Sequence, residues 1–162
     1  MSALLALLAG MLSSAGPAAV PAVPGAQAAS DAPPRVLVVM TYAQLRWSGR
    51  AAFIQSSIRI AGKLPAVPGV LASDQGIRWF GSEVWTITAW RTEEQMLAFV
   101  YGAEHARAMR EGAVAVREIR TFRLRCAAAA MPAGWDGIKR VLANETPRGC
   151  EWDRAESGPA KG

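Results

Sequence analysis

Glu83–Met109 reads EVWTITAWRTEEQMLAFVYGAEHARAM, and the change of period inside it decides the fold. Glu83–Trp90 is dominated by β-branched and aromatic residues, the composition of a strand. Val84, Thr86, Thr88 and Trp90 fall on one side of it and Trp85, Ile87 and Ala89 on the other, so neither face reads as fully solvated. Thr92-Glu93-Glu94-Gln95 then has the form of a capping box. Its hydroxyl is placed to accept from the backbone at Gln95, and the Gln side chain to reach back. A helix through Met96, Leu97, Phe99 and Val100 follows, Gly102 interrupts it, and AEHARAMRE continues as a second helical piece to Gly112.

Upstream, RVLVVMTY (Arg35–Tyr42) is a β-branched run after Pro33-Pro34 and predicts a first strand. Between Ser48 and Leu64, Phe53, Ile54, Ile58, Ala61 and Leu64 recur at helical spacing, and Pro65 stops that helix. Pro68-Gly69 turns into VLASDQGIRW, a weaker strand closed by Gly81-Ser82. Downstream, Val114–Cys126 predicts a last strand, with Val116, Phe122 and Leu124 on one face and Ile119 on the other, and a short helix over Trp135–Leu142 follows Pro132. The order βαββαβ with a terminal helix predicts an α+β, ferredoxin-like fold: a four-stranded antiparallel sheet with helices on one face. The uncovered face needs a partner. A second subunit's sheet would supply it in a dimeric α/β barrel, and a pocket closed within one subunit would serve as well. For the dimer, Thr88 is expected to point with Val84, Thr86 and Trp90 into the barrel interior.

The ends read differently. No Lys, Arg, Asp or Glu precedes Asp31, so the net charge of +5 belongs to the rest of the chain. LLALLAGML (Leu4–Leu12) has the length of a signal h-region and is too short to span a bilayer, and Ala26-Gln27-Ala28 has the A-x-A form of a cleavage site. Residues 1–28 are a signal peptide, giving an exported protein with no membrane span in the mature chain, or a disordered Ala/Pro extension of a cytoplasmic one. Residues 29–34 read as linker, 35–144 as the barrel domain and 145–162 as a loose tail. Cys126 and Cys150, with one histidine and no CxxC, exclude a structural zinc site. In an exported protein they would form a disulfide tying the tail to the last strand, and in a cytoplasmic one they would be inert thiols.

Glu83–Met109, followed by MPAGWDGIKRVL (Met131–Leu142) and preceded by AAFIQSSIRIAGKLPAVPGVL (Ala51–Leu71), resembles the DUF3291 and spheroidene monooxygenase-like families. These belong to the dimeric α/β-barrel superfamily, alongside antibiotic-biosynthesis monooxygenases and haem-degrading enzymes. The resemblance implies a homodimer with a pocket between helices and sheet for a hydrophobic small molecule. It also implies His105 as haem ligand or proton relay, with Thr86, Thr88, Trp90 and Met109 in the pocket. In the haem-degrading enzymes the ligand histidine aligns with Met109 and an active-site tryptophan with Phe99, so both positions depart from that chemistry. Read from the residues alone, His105 equally suits a helix surface, and Trp85, Trp90 and Trp135 suit a packed core.

Arg117, Arg123 and Arg125 share a parity on the last strand and, with Arg107 and Arg110, form either a patch for a carboxylate or haem propionate or a solvated sheet edge. Nucleic acid is not an expected partner, because no recognised motif accompanies the charge. No phosphate loop, dinucleotide fingerprint or nucleophile elbow occurs. Two functions follow: a monooxygenase-like enzyme acting on a hydrophobic small molecule with His105 holding haem or moving protons, or a non-catalytic ligand-binding or structural homodimer of the same fold.

Overall fold

The computed structural model describes residues 34–78 and 82–153. The apolar run Leu4–Leu12, the site at Ala28 and the turn residue Gly81 lie outside them. The elements in order are β1 (Arg35–Leu45), α1 (Arg50–Ala61), β2 (Val70–Ile77), β3 (Glu83–Trp90), α2 (Glu93–Val100), α3 (Ala103–Gly112), β4 (Val116–Ala127), α4 (Gly134–Leu142) and β5 (Cys150–Trp152). They form one antiparallel sheet in the order β2-β3-β1-β4-β5, with helical crossovers from β1 to β2 and from β3 to β4. This is the expected ferredoxin-like α+β fold, with one strand more than the four read from the sequence.

The extra strand comes from the stretch expected to be loose. Cys150–Trp152 pairs with Leu124–Cys126, and a disulfide between Cys126 and Cys150 fastens it. Both cysteines are therefore disulfide-bonded and neither is a free thiol.

Local chemistry explains the element boundaries. Thr92 caps α2 by accepting from Gln95 N at 3.2 Å, while its hydroxyl donates to Gln95 Oε1. The glutamine thus reaches back to the threonine side chain and not to its backbone. Gly69 turns the chain into β2 at φ +88°, a conformation that side chains rarely adopt. Gly76 lets the Trp85 ring lie against the backbone, since a Cβ there would stand 2.0 Å from Trp85 Cζ2.

Alternation along β1 separates two cores. Val36, Val38, Met40 and Tyr42 pack with Ile87, Leu124, Ile138 and Val141, whereas Leu37 packs with Trp90 and Met96. The first set lies beneath α4 and the second beneath the layer formed by the two crossovers. Two corrections follow. Helices cover both faces of the sheet, because the terminal helix crosses to the side the crossovers leave open, so the chain itself supplies the cover for which a second sheet was invoked. Trp90, 1% exposed, lies under α2, and Thr88 bonds to it there, so these residues belong to the crossover-covered face and not to an open barrel interior.

α4 is held at its start by Asp74 on β2, whose Oδ2 accepts from Gly134 N at 2.6 Å. Its aromatic anchor is Trp135, as read from the sequence, with ring centroids 5.3 Å from Trp85 and 6.2 Å from Tyr42. Among the described residues no helix is long and apolar enough to cross a membrane.

Candidate functional site

The arginines of β4 come first, because they are the strongest local charge. Arg123 and Arg125 turn to the crossover face beside Leu37 and Val39, where Arg123 is enclosed to 9% side-chain exposure. Its guanidinium donates to Glu93 Oε1, in the first turn of α2, at 2.5 Å and to Asp153 Oδ2 at 2.9 Å. Burial works against the Arg123 charge, but the hydrogen bonds and charges of Glu93 and Asp153 outweigh it and hold the group above its ordinary pKa. Arg125 stands 3.6 Å from Glu93 and 3.7 Å from Asp153. Two arginines thus meet two carboxylates, and the cluster is a neutral brace linking β4, α2 and the C-terminal strand. Arg107 pairs instead with Glu111 on α3, and Arg117 is solvent-exposed, so the arginines do not converge on one anion site.

His105 is placed differently. It lies in the first turn of α3, directly after the break at Gly102, half-buried. Its Nδ1 is 3.0 Å from the carbonyl oxygen of Val100, the last residue of α2. A carbonyl can only accept, so Nδ1 carries the proton, and in the neutral ring Nε2 keeps its lone pair. The ring lies 4.9 Å from Phe99, which in turn lies 5.4 Å from Trp90. Trp90 Nε1 donates to Thr88 Oγ1 at 2.9 Å. A continuous stack therefore runs from the sheet to His105 and fixes the orientation of the imidazole from behind.

In front of the imidazole is a cleft of about 190 Å³ between the end of α1 and the α2–α3 junction. Ile60, Val67, Phe99 and Ala103 give it apolar walls, and Lys63 and Glu104 form an ion pair at its rim. A second, smaller cavity of about 70 Å³ lies between α1 and α3, lined by Arg59, Arg107 and Glu104. Partly apolar walls beside an oriented hydrogen-bonding group, with an ion pair at the rim, are features that small-molecule sites share.

Of the residues expected in the site, His105 lines this cleft. Thr88 and Trp90 lie one layer behind, with Phe99 between Trp90 and His105. Thr86 is half-buried on the same sheet face without reaching the cleft, and Met109, 48% exposed, does not line it. Sequence reading missed Ile60, Lys63, Val67 and Glu104. Ile60 lies at the end of α1 and Lys63 just after it, and only the packing of α1 against α3 brings them to His105.

Haem is the cofactor for which the family resemblance speaks, and the residues here do not fit it. The cleft falls below the roughly 300 Å³ of small ligand pockets, far short of a macrocycle. Met109, at the position aligned with the haem ligand, stands outside it.

No family model matches the chain, and no curated protein matches it by sequence. Solved structures do match by shape. PA3566 from Pseudomonas aeruginosa is 13% identical with a TM-score of 0.53, over 57% of this chain and 94% of its own. A candidate antibiotic biosynthesis monooxygenase from Nitrosomonas europaea is 16% identical with a TM-score of 0.51, over 54% of this chain and 86% of its own. NE2512, a protein of unknown function from the same organism, is 19% identical with a TM-score of 0.51, over 62% and 97% respectively. At these identities the likeness is one of fold, and the fold is that of the antibiotic-biosynthesis-monooxygenase-like proteins.

Proposed function

We propose that the protein binds a small apolar, aromatic molecule in the His105 cleft and that His105 accepts a proton from it through Nε2. The observation that carries this reading is the clamped imidazole: its Nδ1–H is tied to Val100, its ring is backed by Phe99, and the apolar cleft opens beside it. Proton removal from a bound hydroxyl needs a base within hydrogen-bond reach whose own orientation is fixed, and the Val100 bond supplies that fixing. The reaction class, a monooxygenase-like one, comes from the fold neighbours. A finer placement beside the DUF3291 and spheroidene monooxygenase-like proteins rests on the Glu83–Met109 pattern. Export is part of the proposal, since a disulfide between Cys126 and Cys150 suits an oxidising compartment.

A second reading, a ligand-binding protein without a reaction, is favoured by the size of the cleft, which is small for an enzyme pocket. Titration with 1-naphthol, an apolar aromatic carrying one hydroxyl, tests the first part. Saturable binding is expected in the wild type and lost in Ala103→Trp, which fills the cleft without altering His105. Oxygen uptake with bound naphthol, abolished by His105→Ala, selects the enzyme; binding without uptake selects the second reading; no saturable binding overturns the site.

A further inference from the structure

The cleft beside His105 has a neighbour. The cavity of about 70 Å³ between α1 and α3 is lined by Arg59, Ile60, Glu104, Arg107 and Ala108, and two of these, Ile60 and Glu104, also line the cleft. The two spaces therefore lie side by side along the α1–α3 groove with a common wall. Their offset is about one helical turn, ~5 Å, since Arg59 precedes Lys63 by four residues on one side and Ala108 follows Glu104 by four on the other.

Charge is distributed unevenly between them. At the cleft, Lys63 and Glu104 face one another as a balanced pair. At the smaller cavity, Glu111 accepts from Arg107 Nε at 2.6 Å through one oxygen and from Arg59 Nη2 at 3.3 Å through the other. One carboxylate thus serves two guanidiniums brought from two helices, and the five side chains Arg59, Lys63, Glu104, Arg107 and Glu111 together carry one positive charge. This differs from the β4 brace, where two arginines meet two carboxylates and no charge is left over. A guanidinium has five N–H donors, of which Glu111 takes one from each arginine and Ser56 Oγ one more from Arg59. Donors remain on both for a second anion.

We propose that the ligand of the His105 cleft is an aromatic acid, with a hydroxyl-bearing apolar ring in the cleft and, about one helical turn away, a carboxylate held by Arg59 and Arg107. This rests on the reading of the cleft given above and adds to it what the ring must carry. A carboxylate presents two acceptor oxygens in one plane, which matches guanidinium donors in geometry as well as in charge. It stands beside Glu111 as a second acceptor and brings the groove to neutrality. Glu104, on the common wall, offers little repulsion, because Lys63 already compensates its charge. The side chains of Arg59 and Arg107 are 51% and 70% exposed, so the attraction is modest and screened by salt.

Calorimetric titration of the full chain with 4-hydroxy-1-naphthoate and with its methyl ester tests this, since the ester keeps the ring and the hydroxyl and lacks the charge. At low ionic strength the acid should bind about fivefold tighter than the ester. The double variant Arg59→Met, Arg107→Met should abolish that advantage. Arg110→Met, which removes an exposed arginine of the same helix that lines neither cavity, should preserve it. An acid bound no tighter than the ester, an advantage that survives the double variant, or one that Arg110→Met abolishes equally would overturn the carboxylate site. Saturable binding of 1-naphthol alongside any of these results leaves the cleft standing and removes only the acid. If 1-naphthol, ester and acid all fail to bind, the cleft and the carboxylate site fall together.

Discussion

The two faces of the sheet are built on different plans. Beneath α4, Val38, Met40, Ile87, Leu124, Cys126, Ile138 and Val141 are all fully enclosed, and a disulfide ties the strand at one side to the chain's end. Beneath the crossovers the enclosed core is Leu37, Trp90 and Met96, surrounded by half-buried residues, and a cleft opens at the α2–α3 break. One face holds the fold together, and the other leaves room for a ligand. Stability and binding should therefore respond to different substitutions.

The largest effect is expected at Ile138, which is fully buried between α4 and the sheet. Ile138→Ala should cost about 2–5 kcal/mol in urea unfolding, through lost burial and the cavity it leaves. Joint replacement of Cys126 and Cys150 by alanine should cost about 3 kcal/mol, mostly by freeing the unfolded chain. Either change should leave 1-naphthol binding intact under conditions where the protein is folded. If these variants lose binding while folded, the division between the faces fails.

On the crossover face, Thr88→Val keeps the shape but leaves the Trp90 indole N–H without its acceptor. About 1–3 kcal/mol of stability should be lost, together with some order in the Phe99–His105 stack. Denaturation and the line width of the His105 imidazole resonances read both at once.

The smallest effect is one of pH. Burial, and after it the charge of Glu83, holds the Tyr42 phenol above its ordinary pKa. A folded value above the unfolded one means that this contribution is intact below about pH 10 and is lost as pH rises through the raised value. Tyr42→Phe should flatten that alkaline decline in a series of urea midpoints, without moving the acid side.

The parts of this architecture visible in the sequence were those set by local chemistry. Thr92 and Gln95 announce α2, and the alternation in Glu83–Trp90 sends Trp85 and Trp90 to opposite faces, whereas the first helix, expected to run to a stop at Pro65, ends at Ala61 with Gly62 as its cap and Pro65 falls in a separate short turn, Leu64–Ala66. What stayed hidden depends on contacts distant in sequence. Nothing in Trp135–Leu142 says which side of the sheet the helix will take, and that choice is made by packing and by the Asp74–Gly134 bond. The same holds for the short β5, whose pairing needs the disulfide partner to be known, and for Arg123, whose partners Glu93 and Asp153 lie thirty residues away on either side. In the site, His105 stood out as the sole histidine, but Lys63 and Ile60 had no signal until α1 packed against α3.

Because the chain has one histidine, its imidazole can be read without assignment ambiguity. Nitrogen-15 NMR of the His105 ring in untagged protein, before and after addition of 1-naphthol, therefore tests the central claim most directly. The account predicts a neutral ring protonated at Nδ1 and bare at Nε2, with the Nε2 resonance shifting on saturation while Nδ1 stays bonded to Val100. A ring protonated at Nε2 when neutral, or resonances that naphthol leaves in place, would contradict it.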